Sequence, residues 1–216
     1  MKNDSSEAEF TRKRMKLYYK ICTLAALTAC VLQVLLIVLS WLMTAAAPDL
    51  YMRSMLGGEG LRWIFGHFTE NMQSPLLVWI LLLGVAYGTV KGSGIVGAMR
   101  KKQDNDYRTR IALQVVAWEA VALVVVLALL TLMPHAVLLS AVGRLFPSSF
   151  TNGLVPVLAF AVGAMSLTYG FMVGKLKTVY DAFLLMSGGV AAVAPLVVVY
   201  VFVAELYHSI MFVFVI

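Results

Sequence analysis

Charge is scarce in this chain: only 13% of its 216 residues are Asp, Glu, Lys or Arg, and just 11 are acidic. Cysteine is scarcer. Cys22 and Cys30 are the only two, and both fall in one apolar stretch, which argues against a disulfide framework. Histidine occurs at 67, 135 and 208, too far apart in sequence for a metal-ligand motif. Near a membrane boundary such residues are more ordinarily hydrogen-bonded than ligating. No nucleophile–base arrangement, phosphate-binding loop or pair of carboxylates within an apolar stretch is present. Neither catalysis, nor a metal, nor a cofactor is therefore expected.

What the chain has in abundance is apolar length. Hydrophobic residues make up 61% of it, and the mean hydropathy is +0.88. A water-soluble domain of this size cannot hide so much apolar surface, whereas hydrocarbon solvates it directly. Spanning about 30 Å of hydrocarbon takes about 20 residues of helix. Five stretches meet this requirement, at about 21–43, 75–97, 111–133, 154–174 and 183–204. Lipid offers backbone groups no partner, and the short alternating segments of a barrel are missing, so helices are expected. The expected fold is an all-α integral membrane protein with five spans in one domain, preceded by a basic segment over residues 1–20.

Basic residues sort by topology. Fourteen of the 17 lie before the first stretch or in the second and fourth gaps. Arg53, Arg62 and Arg144 are alone on the other side. The positive-inside rule then predicts an inward N-terminus and an outward C-terminus. The net charge of +6 thus reads as topology and contact with lipid headgroups, not as a nucleic-acid footprint. Ala45-Ala46-Ala47 resembles a signal-peptidase site, but the 23-residue run before it exceeds the 7–15 residues of a signal h-region. An uncleaved anchor is expected.

Between the first two stretches, Leu61, Ile64, Phe65 and Phe68 recur at helical spacing beside Trp63. They predict either an interfacial helix lying on the outer membrane face or a loop helix packed on its neighbours. The gap at 100–110 reads as a solvated connector, and 136–145 is apolar but too short to span. The apolar end at 212–216 fits a helix finishing in the outer leaflet or a shortened longer ancestor.

Glu119 is the sharpest single residue, about nine positions into the third stretch. A charge at mid-span costs about 2.5–3.5 kcal/mol on the insertion scale. It is either a proton or cation site or a neutral acid bonded to a neighbouring helix. Glu205 lies near a predicted helix end and carries less weight. Gly84, Gly88 and Gly92 recur every four residues, so one helix face is bare enough for another backbone to approach. That face serves intramolecular packing or a homodimer seam. Gly170 and Gly174 form a weaker pair of the same kind, and Gly188-Gly189 with Pro195 would permit a kink or a broken helix in the fifth span.

Two blocks carry a resemblance. The first is Leu56-Gly57-Gly58-Glu59-Gly60-Leu61-Arg62-Trp63-Ile64 with Thr69-Glu70-Asn71-Met72 and the run through Gly84 to Lys91-Gly92-Ser93-Gly94-Ile95. The second is Phe146-Pro147-Ser148-Ser149-Phe150-Thr151-Asn152-Gly153-Leu154-Val155-Pro156, continuing through Tyr169-Gly170 and Lys175 to Met186-Ser187-Gly188-Gly189. In order and topology they resemble the AbgT family of p-aminobenzoyl-glutamate transporters. The resemblance implies a bacterial-type inner-membrane location and a dimer. Family members are roughly twice as long, and the regions this chain lacks are those that would hold substrate and cation.

Three expectations follow. One is a reduced transporter scaffold in the inner membrane, homodimeric. A second is an active transporter of a small anionic solute, completed by oligomerisation or by a partner chain. The third is an accessory membrane subunit that binds another protein.

Overall fold

The computed structural model describes residues 2–47, 49, 51–100, 106–132 and 149–215. The apolar piece at 136–145, Arg144 and His135 lie outside them, as do the centre of the charged connector and the start of the second resemblance block. Seven helices make up the described chain: α1 (Lys2–Ala46), α2 (Gly58–Asn71), α3 (Pro75–Ser93), α4 (Ile95–Arg100), α5 (Tyr107–Leu132), α6 (Ser149–Val173) and α7 (Val179–Phe214). No strand occurs among the described residues.

Helix α1 runs unbroken for 45 residues, from within the basic segment through the first apolar stretch. No glycine or proline precedes Pro48, and Glu9 pairs with Lys13 one turn on at 2.9 Å. Helix α3 stops at Ser93, short of the expected 97, because Gly94 takes φ +74° and turns the chain into α4. Helix α5 starts at Tyr107, where the Asp106 carboxylate accepts the Tyr107 N–H at 2.9 Å. Helix α7 starts with a capping box: Thr178 Oγ1 accepts the Asp181 N–H at 3.2 Å, and Asp181 Oδ2 accepts the Thr178 N–H at 2.9 Å. It continues to Phe214, past the end expected at 204. Glu205 and Ser209, polar enough to suggest a boundary, find partners sideways instead. Within the helices, hydroxyls bond carbonyls of the preceding turn, as Thr28 does to Leu24 at 2.7 Å and Thr89 to Ala86 at 2.8 Å. This hides them from lipid.

The chain divides into two units. One comprises residues 1–77 and 194–216, the other residues 78–193. In the first, Met55, Phe212 and Val213 form a buried cluster with Leu36, Ile37, Trp63 and Ile64 packed against it. The stretch before α2 is tied down at both edges: Arg53 N–H donates to Val213 O at 3.0 Å, and Met55 N–H to Ser40 Oγ at 3.2 Å. The expected stripe on α2 is divided. Ile64 turns inward with Trp63, while Leu61, Phe65 and Phe68 stay exposed, Phe65 at 83%.

In the second unit, α3 uses small residues on two faces. Gly84, Gly88 and Gly92 meet Val193, Gly189 and Leu185 of α7. A methyl group on Gly88 would sit 2.6 Å from the Gly189 Cα, a separation no real side chain tolerates. On another face lie Ala86, Thr89 and Ser93, all buried. Thr89 approaches Gly163 of α6, and Ser93 approaches Gly170. Helix α5 packs along α6, and Ile95, Ala112 and Tyr169 form a core joining α4, α5 and α6. With no hydrophobic drive between helices in lipid, such close backbone approach is what holds them.

Candidate functional site

The richest polar grouping lies in the first unit and draws on three helices. On α7, Glu205, His208, Ser209 and Phe212 recur at three and four residues, so they share a face. Gln33 of α1 donates from Nε2 to Ser209 Oγ at 2.7 Å. Asn71, the last residue of α2 and 5% exposed, donates from Nδ2 to Glu205 Oε2 at 3.2 Å. Five residues before Glu205, the Tyr200 hydroxyl donates to Met72 O at 3.0 Å. Two oxygens are left over. Glu205 Oε1 and Gln33 Oε1 are shut off from solvent with no hydrogen-bond partner among the described residues.

Beside this group opens a cavity of about 330 Å³ lined by Arg53, Trp63, Asn71, His208 and Phe212, among others. Trp63 stacks on Phe212 with ring centres 4.6 Å apart, and the Arg53 guanidinium sits 5.5 Å over the same Phe212 ring. Glu59 is 3.7 Å from Arg53, too long for a good hydrogen bond, so the guanidinium keeps donors for another acceptor. The wall thus combines an aromatic floor, a cation and the Asn71 amide. That chemistry suits a small polar molecule with an acidic group and an apolar body.

Glu119 stands elsewhere, on α5 in the second unit. It is half-buried, and its Oε2 is closed off from solvent without a partner among the described residues. Its neighbour Trp118 is 73% exposed on the outside of the helix. The glycines of α3 are engaged by α7, as described above. Of the histidines, His208 lines the cavity and His67 lies 3.8 Å from Glu70 on α2. Cys22 and Cys30 are free thiols facing an apolar groove of about 580 Å³ between α1 and residues 194–202 of α7. No group of three or more metal-ligating side chains occurs among the described residues.

A place near a helix end gives Glu205 little weight in the sequence, and no motif marks Asn71, Gln33 or Arg53 as site residues. Their one legible signal was the four-residue spacing of Glu205 and Ser209. Nothing in the linear chain says that α1 and α2 close over that face.

Among the described residues, five helices are long and apolar enough to cross a membrane: 12–46 of α1, 75–93 of α3, 107–129 of α5, 153–173 of α6 and 179–214 of α7. Their number marks a multi-pass helical membrane protein. Compared with protein-family models, with curated proteins and with solved structures, the chain matches none.

Proposed function

We propose that this chain is an AbgT-like inner-membrane protein, a reduced transporter scaffold rather than a complete carrier. The supporting observation is the continuity of α7. Carriers of the inverted-repeat kind commonly build solute and ion sites from broken helices whose ends point into the membrane. Here α7 carries Gly188, Gly189 and Pro195, the residues that would permit a break, yet it runs as one helix of 36 residues. Gly189 is spent on close contact with Gly88 rather than on unwinding. On this reading α3 to α7 form a packed frame. Because the glycine face of α3 is already used inside the chain, a homodimer would join through another surface.

The test is reconstitution. Purified protein in liposomes, under an imposed sodium or proton gradient, should move no p-aminobenzoyl-glutamate. Gradient-driven uptake abolished by Glu119→Gln would overturn the scaffold reading.

One observation favours the second reading, an active transporter of a small anionic solute. The Arg53 cavity places a cation, an amide and aromatic rings together. For that reading the decisive variant is Arg53→Gln, which should remove solute binding measured by calorimetry while leaving the fold intact.

A further inference from the structure

The basic residues of the second unit collect at one end of its helix bundle. The buried contacts of Ile95, Ala112, Tyr169 and Val173 bring together α4, the start of α5 and the end of α6. Leu185 on Gly92 adds the end of α3 and the start of α7. Every described Lys and Arg of this unit therefore lies at that end: Lys91, Arg100, Arg108, Arg110, Lys175 and Lys177. All six are exposed.

The described carboxylates at this end are occupied otherwise. Asp106 caps α5, and Asp181 accepts the backbone N–H groups of Lys177 and Thr178 at the start of α7. They sit at helix N-termini, where anionic groups are stabilised. Asp181 also interacts with the Lys177 charge, but two carboxylates against six cations leave this end of the bundle with a positive surplus.

Lys175 has a built seat. A side-chain carbon on Gly94 would collide with its ammonium group and lie 3.5 Å from its Cε. The missing Cβ at this positive-φ position lets the lysine fold over the α3–α4 elbow. Around the cations stand Tyr107 at 74% exposure, Tyr180 at 68% and Phe183 at 63%. Lys91 lies 5.7 Å over the ring of Tyr87. Cations interleaved with exposed aromatic rings, at the ends of apolar helices, match the boundary between hydrocarbon and headgroups. A soluble acidic protein would find charge there, but would also have to cover bare Tyr and Phe.

We propose that this end of the second unit binds the phosphate headgroup of an anionic phospholipid, with Lys175 and Lys177 as its principal contacts. The surface prefers phosphatidylglycerol over phosphatidylcholine because the latter's choline cancels the phosphate charge. Each lysine near an anionic leaflet contributes a factor of about five.

The test uses the full-length protein, delipidated in detergent and titrated with each lipid. Native mass spectrometry counts the retained lipids, and thermal melting reads the stabilisation. Phosphatidylglycerol should be retained and raise the melting temperature, with phosphatidylcholine far weaker. Lys175→Gln combined with Lys177→Gln should lower the preference about 25-fold, two factors of five. Lys175→Arg with Lys177→Arg should keep it, and so should Arg62→Gln on α2. Equal retention of both lipids, or a preference that survives the double glutamine variant, would overturn the proposal. So would inorganic phosphate stabilising the protein at the same concentrations as the lipid, since that marks a site for the free ion. If the double glutamine variant does not fold, the single variants Lys177→Gln and Arg108→Gln serve in its place, each expected to lose about fivefold.

Discussion

The Asn71 side chain donates a hydrogen bond of 3.2 Å to Oε2 of Glu205, joining the end of α2 to the C-terminal half of α7. The other oxygen of that carboxylate is buried without a partner among the described residues. Asn71→Ala would leave both oxygens unsatisfied and should cost about 1–3 kcal/mol, read as a lower melting temperature in detergent. Glu205→Gln keeps an acceptor for Asn71 and removes the charge, so it should be neutral or stabilising. If both variants melt like the parent, the bond contributes nothing.

The contact between Gly88 and Gly189 makes a sharper prediction. Gly88→Leu forces a large side chain against the α7 backbone, whose nearest atoms include the Gly189 Cα. Overpacking of this kind costs about 1–3 kcal/mol or more. The variant should unfold at lower temperature, while any dimer that does form keeps its affinity, measured by light scattering across a dilution series. A dimer that dissociates without a change in melting would instead assign the glycine face to a seam between copies.

Trp63 and Phe65 lie two residues apart on α2 and should respond in opposite ways. Trp63 stacks on Phe212, and its removal to Ala should destabilise by about 3 kcal/mol, near the lower end for a buried aromatic residue because Trp63 is only half-buried. Phe65 is 83% exposed, so Phe65→Ala should change stability by less than about 0.5 kcal/mol. If α2 lies on the membrane surface, Phe65→Ala should also speed amide exchange over 58–71 in nanodiscs relative to the parent; unchanged exchange would argue against that placement.

Glu119 offers a test of purpose. A half-buried carboxyl with an oxygen lacking a partner among the described residues is a cost to the fold, so Glu119→Leu should stabilise the protein by about 1–3 kcal/mol. A loss of stability on that change would mean that the carboxyl is paired in the membrane. A gain in stability together with a loss of solute flux would assign it a functional role.

Much of this architecture is readable before any coordinates. Apolar length alone marks five spans, because hydrocarbon thickness sets a minimum that soluble helices rarely meet with so little charge. The glycine period on α3 announces a close-packed face, though not which helix fills it. The ends are less legible. Gly94 halts α3 early through a local backbone turn, and α7 runs past Glu205 because Asn71 and Gln33 come from distant segments to satisfy its polar face. The same distance in sequence conceals the Arg53 cavity, whose lining spans residues 53 to 215. Local pattern reports a residue's own helix, and sites made by tertiary closure carry no such pattern.

Helix α1 is 45 residues long, about 67 Å at 1.5 Å per residue, and the hydrocarbon takes only about 30 Å of it. Roughly half its length therefore stands clear of the oily layer as a rod without glycine or proline to act as a joint. Gln33 fastens the rod to Ser209 deep in the first unit. Between the charged N-terminal half and that bond the backbone is one continuous helix, so the two cannot hinge independently of each other.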